Sequence, residues 1–333
     1  MVKINILTTS LEGCVSRQID RDRYPESDYY ICQNSAADIV WDIVVVYEAI
    51  EAPVSIKCKL GGLVFISGEP PYSQIYTNQF LKQFDLVVSS HKAKKGLNVL
   101  NWQQSLDWHY GMNLTKRLYS CDFNYLKSMP IPSKTKLISV ITSNQRMKPG
   151  HNKRYLIIKK LMKDYAGKID FFGKGFNFID DKAEALDNYK FHICIENSFI
   201  RDYWTEKMAD PLLGYCVPIY SGCKNINDYF DSNGCFFFDI DDYDSLKSII
   251  DSILLNGEEI YEKKKPYLLA NRNLLMNKYN LVTSVLSYTN FDEKEWEHHY
   301  IIPSKMCKTY NLELWILRFK RLFIKTKYKI LKR

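Results

Sequence analysis

Tyr189-Lys190-Phe191-His192-Ile193-Cys194-Ile195-Glu196-Asn197-Ser198 opens the stretch that decides the fold. Arg201-Asp202-Tyr203-Trp204-Thr205-Glu206-Lys207 and Gly214-Tyr215-Cys216-Val217-Pro218-Ile219-Tyr220-Ser221-Gly222 complete it. An apolar run ends in Glu-Asn-Ser, a polar loop and a helical segment follow, and a second apolar run returns at Val217–Tyr220. Strand, helix and strand joined by short links are the unit of a parallel sheet. Thr205 stands where a helix N-cap would, with Glu206 and Lys207 in the first turn. Amide donors at a helix start attract anions, and a lysine beside them adds a point charge suited to a diphosphate. On spacing alone, the same residues equally describe a capped surface helix with a solvated Glu-Lys pair.

The pattern continues on both sides. In the second half, β-rich runs are predicted at 137–142, 169–172, 191–195, 217–220 and 235–238, with helices at 152–165, 205–213 and 245–255. In the first half the runs are 3–7, 39–47, 63–67 and 86–89, with a helical stretch at 73–82. From Glu258 onward the chain reads as helix, first 258–264, then 266–279, then a basic amphipathic end. Two series of runs predict two doubly wound α/β units, and 333 residues exceed what one core usually holds. The break falls near Met129-Pro130-Ile131-Pro132-Ser133, where two prolines interrupt both patterns. The expected division is 1–132, 133–290 and a C-terminal helical segment, 291–333. Ligands of such sheets bind beyond the carboxyl ends of the strands, so residues just after each run are the functional candidates.

The composition, 46% apolar and 25% charged, is that of a folded globular chain. The formal charge of +8 belongs to the tail: eight Lys or Arg and no acid lie between Leu314 and Arg333, and the remaining 38 basic residues equal the 38 acids. A nucleic-acid-binding face would spread its cations over a domain, so none is expected. Leu312, Trp315, Phe319, Leu322, Phe323 and Ile330 recur at helical spacing beside the cations, so residues 312–333 are predicted to lie on an anionic membrane surface. Nine widely spaced cysteines without a C-x-x-C pair suit free thiols. The start, Met1 to Thr9, is short and polar, and no apolar run reaches the length needed to span a bilayer. These features predict a cytoplasmic protein peripheral to the inner face of the membrane.

The pattern Phe-x-x-x-x-Glu-Asn-Ser, then Asp-Tyr-x-Thr-Glu-Lys, then Gly-x-x-Val-Pro-Ile-x-x-Gly over 191–222 resembles the sugar-nucleotide signature of the α1,3/4-fucosyltransferases, glycosyltransferase family ten, bacterial type. The wider similarity covers roughly residues 136–238, and the first half matches only patchily. The resemblance implies a GT-B fold, two Rossmann-like domains facing each other across a cleft, and an inverting enzyme that uses GDP-fucose. No permanently bound cofactor and no divalent metal is required. It implies that Glu206 and Lys207 are the acidic and basic residues of the donor site, with Lys207 at the diphosphate. Glu196, Asn197, Tyr203 and Thr205 would line the same pocket. Ser143-Asn144 followed by Arg154 is similar to the family's Ser-Asn…Arg element, whose arginine neutralises phosphate. A guanidinium meets a diphosphate bidentately, so the residue type fits. Without the resemblance, Arg154 reads as an exposed helix arginine beside Lys153. The departures are Pro211 inside the helix, which should kink or shorten it, and Tyr215-Cys216 before Val-Pro.

An inverting displacement also needs a carboxylate to take the acceptor's proton. Leu63-Val64-Phe65-Ile66-Ser67-Gly68-Glu69-Pro70-Pro71 supplies Glu69 at the end of an apolar run, and the family likewise places its proposed base in a Gly-Glu after a strand. As a plain turn carboxylate, Glu69 would carry no chemistry. Asp239-Ile240-Asp241-Asp242 looks like a metal-binding Asp-x-Asp but leads into a helix, where acids cap. His298-His299 would point apart on a helix, unlike a metal pair at i,i+4. Trp108 and His109 are acceptor-side candidates, because sugars stack on aromatic faces, although Trp108 equally suits core packing. The readings that follow are a fucosyltransferase acting on a glycan acceptor of surface polysaccharide or lipopolysaccharide, a relative using another nucleotide sugar, or a non-catalytic membrane-associated binding protein.

Overall fold

The computed structural model describes residues 1–71, 73–144, 149–289, 294–307 and 319. The chain forms two units. The first comprises Met1–Asp107, Tyr119–Ser128 and Met276–Tyr310, the second Trp108–Leu118, Met129–Leu275 and Asn311–Arg333. The division is therefore not a single cut near residue 132: residues 108–118 group with the second unit, and the chain returns to the first at Met276.

Unit 1 contains β1 (Val2–Thr8), β2 (Tyr29–Gln33), β3 (Val40–Trp41), β4 (Ile43–Tyr47), β5 (Val54–Lys59), β6 (Leu63–Ile66), α1 (Asn78–Leu81), β7 (Leu86–Val88) and β8 (Val99–Leu100). Its main sheet runs β2-β1-β4-β6-β7-β8, with parallel pairing throughout. The central strands, Ile-Val-Val-Val-Tyr and Leu-Val-Phe-Ile, are buried along their whole length, as parallel strands covered on both faces must be. The predicted run 39–47 is two strands in different sheets, because Asp42 between them turns its carboxylate to the Lys3 amide at 2.7 Å. The predicted helix 73–82 shrinks to α1. Thr77 caps it by accepting from the Phe80 amide, while Ser73 and Gln74 bond back to the Pro70 carbonyl as a turn.

Two-residue strands β9 (Met112–Asn113) and β10 (Leu118–Tyr119) form a small ribbon, and α2 (Phe123–Ser128) follows. Unit 2 contains β11 (Lys136–Ile141), α3 (Pro149–Asp164), β12 (Asp170–Phe172), β13 (Tyr189–Ile195), α4 (Glu206–Leu213), β14 (Val217–Ser221), β15 (Phe236–Phe237) and the long α5 (Tyr243–Asn277). Its sheet is parallel in the order β12-β11-β13-β14-β15, a doubly wound order with its switch point between β11 and β13. The predicted helices 245–255, 258–264 and 266–279 are one element, interrupted by non-helical dihedrals at Asn256. Pro211 sits inside α4, which is only eight residues long, and its first turn is intact.

The segment after Tyr279 departs most from expectation. Helix α6 (Leu281–Tyr288) packs Leu281, Val282 and Val285 into the core of unit 1. Residues Trp296–Ile301 form a strand, β16, antiparallel to β5, and the three-stranded sheet β16-β5-β3 belongs to unit 1. His298 and His299 are therefore strand neighbours facing opposite sides, not helix neighbours. The amphipathic tail, apart from Phe319, lies outside the described residues. No described helix is long and apolar enough to cross a membrane. The nine cysteines are free thiols.

Candidate active site at the carboxyl edge of unit 2

The switch point of unit 2 brings together the residues after β11 and β13. Strand β13 is a seven-residue run with every position buried, and its end delivers Glu196 into the interior with no exposed surface. A buried carboxylate is costly unless bonded. Glu196 accepts from the Thr205 amide at 2.8 Å and from the Thr205 hydroxyl at 2.9 Å, and Lys207 Nζ lies 3.8 Å away. Burial raises the Glu196 carboxyl above the ordinary range, and Lys207 opposes that shift. The end of β14 leaves room by glycine: a Cβ on Gly222 would lie 2.3 Å from Glu196 Cγ.

Thr205 caps α4 as its sequence predicts, accepting from the Lys207 amide. The loop before it is pinned by Asp202, whose left-handed backbone (φ 58°) suits Asp and Asn. Asp202 accepts from Asn225 and from the Tyr229 hydroxyl, each at 2.7 Å. Tyr203 follows, buried.

In the first turn of α4, Lys207 Nζ lies 2.8 Å from Glu206 Oε1. Lys182 lies 3.5 Å from the same oxygen and 2.7 Å from Asp210 Oδ2. Burial alone would raise the Glu206 carboxyl, but the two ammonium groups hold it well below its ordinary value. Burial likewise disfavours the Lys182 cation, and Asp210 and Glu206 outweigh it. Sequence reading missed Lys182 and Asp210. The signal for Asp210 was its i+4 position from Glu206, whereas Lys182 reaches the cluster from a distant 3-10 turn, Lys182–Ala185, capped by Asp181.

Ser143 and Asn144 follow β11, and Arg154 projects from α3 to meet them. Its NH1 donates to Asn197 Oδ1 at 2.7 Å and its NH2 to Ser143 Oγ at 3.1 Å. Arg154 is only 6% exposed, rather than the exposed helix arginine its sequence alone suggests. Among the described residues its Nε has no partner, and both bonded oxygens are neutral. Asn144 donates its amide to the Lys174 carbonyl and packs its side chain against Gly175. Helix α3 closes on the same place: a Cβ on Gly150 would lie 2.0 Å from the Asn197 carbonyl oxygen.

Of the expected donor-site residues, unit 2 thus gathers Ser143, Arg154, Asn197, Glu196, Thr205, Glu206 and Lys207 through direct bonds, with Asn144 and Tyr203 flanking them. Trp108 and His109 fall elsewhere than expected. They belong to unit 2, not unit 1; Trp108 is 1% exposed, a core residue, and the His109 amide donates to Asp210 Oδ1 at 2.8 Å. Burial, then the Lys182 charge, lowers the His109 pKa. Glu69 stands exposed after β6 at the carboxyl edge of unit 1, its carbonyl bonded to His91 Nε2 at 2.9 Å. Asp239, Asp241 and Asp242 act in turns: Asp242 accepts from the Ser245 amide, and Asp241 pairs with Lys153.

Residues 131–268 match the family profile "Glycosyltransferase family 10 (fucosyltransferase) C-term". Alpha-(1,3)-fucosyltransferase B of Drosophila melanogaster is 30% identical over 130 residues, 38% of this chain and 27% of that one. The human 4-galactosyl-N-acetylglucosaminide 3-alpha-L-fucosyltransferase 9 is 27% identical over 143 residues, 41% of this chain and 37% of that one. The chain therefore spans roughly a quarter to a third of the length of these curated relatives. Among solved structures, an alpha1,3-fucosyltransferase with GDP aligns over 84% of this chain and 92% of its own, at 17% identity and a TM-score of 0.45. The matched profile contains β11 to β15 and every expected donor-site residue described above, so residues 131–268 are similar to the C-terminal domain of the glycosyltransferase family 10 fucosyltransferases.

Proposed function

We propose that this chain is an inverting α1,3-fucosyltransferase that takes GDP-fucose and transfers fucose to a glycan acceptor of surface polysaccharide or lipopolysaccharide. One observation carries the reading most directly: Arg154, almost fully buried at the switch point of unit 2, is bonded only to neutral oxygens among the described residues and keeps an unmatched Nε donor. A buried guanidinium without a bonded carboxylate is costly, and an arriving anion removes that cost. Lys207, in the first turn of the capped helix α4, adds a second cation 3.8 Å from Glu196, the neighbour of Asn197. Together they would neutralise the diphosphate as it leaves, when its charge grows. Glu196 and Thr205 hold the helix start in place, Glu206 orients Lys207 through a 2.8 Å ion pair, and Glu69 would accept the proton of the attacking hydroxyl.

The choice of GDP as the nucleotide follows from the fucosyltransferase domain at 131–268 and from the signature over 191–222. A relative using another nucleotide sugar in polysaccharide synthesis would share the anion clamp, so thermal shifts with GDP, UDP and CMP separate the two. A nucleotide at a hundred times its dissociation constant adds about 2.7 kcal/mol to stability. A stabilisation by GDP that UDP and CMP do not match, followed by hydrolysis of GDP-fucose, supports the reading; no response to GDP overturns it. The basic tail belongs to the same proposal as an anchor to anionic lipid on the cytoplasmic side. Full chain and a form ending at Asn311 are compared by vesicle flotation, and equal flotation removes the tail from that role.

A further inference from the structure

Unit 1 holds a cavity of about 710 Å³ at the carboxyl ends of β1, β2 and β4. It is lined by residues 7–10 at the end of β1 and just beyond it, by 34–39 after β2, by 50–57, and by His298 of β16. The lining is rich in hydroxyl and amide groups: Thr8, Thr9, Ser10, Asn34, Ser35 and Ser55. The groups that shape it are tied in place. Asn34 accepts from the Thr8 amide at 2.8 Å, Ser10 donates to Glu48 at 2.9 Å, and Ser55 bonds His298 Nε2 at 3.0 Å.

Its charges do not suit an anion. Lys57 is paired with Asp38 at 2.8 Å, and the remaining charged lining residue, Glu51, is a carboxylate. The lining therefore favours a neutral, hydroxyl-bearing ligand.

The neighbouring strand adds a second, independent feature. On β16, Trp296, His298 and Tyr300 alternate onto one face, while Ile301 turns inward and is 1% exposed. Trp296 and Tyr300 are 50% and 65% exposed, and Tyr300 lies opposite Ser55 and His298 opposite Lys57, both cavity residues. Two exposed aromatic rings on an edge strand, bracketing a histidine of the cavity wall, form an apolar platform beside a polar pocket. A sugar chain presents that pairing: ring faces of C–H groups that pack on aromatics, and hydroxyls that need donors and acceptors.

We infer that this cavity and the β16 platform are the binding site of a neutral oligosaccharide, one sugar in the cavity and its neighbour on Trp296 and Tyr300. The inference rests on the transferase reading for its meaning, as the acceptor site, but not for its test. Neutral oligosaccharides ending in galactose, glucose or N-acetylglucosamine are titrated into the full chain and into two variants, Ala37→Trp, which fills the cavity, and Trp296→Ala with Tyr300→Ala, which removes the platform. Binding is read by saturation-transfer NMR, and GDP affinity by calorimetry reports that the nucleotide-binding unit is intact in each variant. The expected result is roughly tenfold weaker saccharide binding in both variants at unchanged GDP affinity. Saccharide binding at wild-type strength in both variants overturns the site. So does a platform variant that changes only the molecular mass in solution, which would make β16 a self-association edge. Should the wild type bind saccharide through this site yet process no nucleotide sugar, the site stands and the transferase reading falls.

Discussion

Glu196 and Thr205 form a two-point contact in which one buried carboxylate oxygen accepts both the backbone amide, at 2.8 Å, and the hydroxyl, at 2.9 Å, of the α4 cap. The contact ties the end of β13 to the start of α4, so the first turn of α4 is fixed by the sheet and not by its own short helix. Replacing Thr205 with Val keeps the shape, removes the hydroxyl and leaves Glu196 short of a donor. A buried acceptor left unsatisfied costs about 1–3 kcal/mol. Chemical denaturation of Thr205→Val is expected to show a loss in that range, with weaker GDP binding; Thr205→Ser should retain both.

Gly150 tests how closely α3 must approach the site. With its built Cβ 2.0 Å from the Asn197 carbonyl oxygen, Gly150→Ala requires the backbone to shift. Overpacking of this kind costs about 1–3 kcal/mol. The expected outcome is a lower melting temperature and weaker GDP binding, because Asn197 is also the partner of Arg154.

Acid sensitivity should come partly from His192. It is fully buried in β13, and its Nδ1 lies 2.8 Å from the Ser139 hydroxyl, which itself donates to the Ala185 carbonyl. With that hydroxyl hydrogen used, the bond requires a proton on Nδ1 of a neutral ring. Burial lowers the pKa from 6.5 to about 3. The unfolded chain therefore takes up a proton that the folded one refuses between those values, and stability falls as pH drops from 6.5 towards 3, by about 1.4 kcal/mol per pH unit once the unfolded form is charged. Denaturation across that range should show His192→Asn with a shallower acid limb than wild type, whatever its stability at pH 7.

Much of the candidate site's local structure was legible because its signals are local. A β-rich run at 191–195, a capping threonine and charged residues in the next turn lie within twenty residues; β13 includes that run and begins two residues earlier, and α4 formed where the pattern placed it. Residues 296–301, Trp-Glu-His-His-Tyr-Ile, follow a long helical periodicity and alternate weakly. Their strand character comes from β5, some 240 positions earlier. The same distance problem hid Lys182, whose Asp-Lys-Ala-Glu setting reads as a cap and whose partners, Asp210 and Glu206, come from tertiary structure. His109 lies in the second unit although a break at the prolines near 130 looks cleaner in sequence, because the chain passes through 108–118 of that unit before it reaches them.

Glu69, the proposed base, belongs to unit 1, whereas Arg154 and Lys207, the proposed nucleotide clamp, belong to unit 2. Glu69→Gln should lower transfer by about 10²–10⁴-fold, the usual cost of losing a general base. GDP affinity should stay at the wild-type value. Near-normal turnover of Glu69→Gln at saturating acceptor would assign the base to another residue.

The central claim is that Arg154 and Lys207 clamp a nucleoside diphosphate at the switch point of unit 2. Calorimetric titration of GDP into wild type, Arg154→Ala and Lys207→Ala tests it directly, with circular dichroism confirming that each variant is folded. Each charge-assisted contact is worth about 1.5–3 kcal/mol, so each variant should bind GDP roughly 10- to 100-fold more weakly. Wild-type GDP affinity in both folded variants would contradict the account.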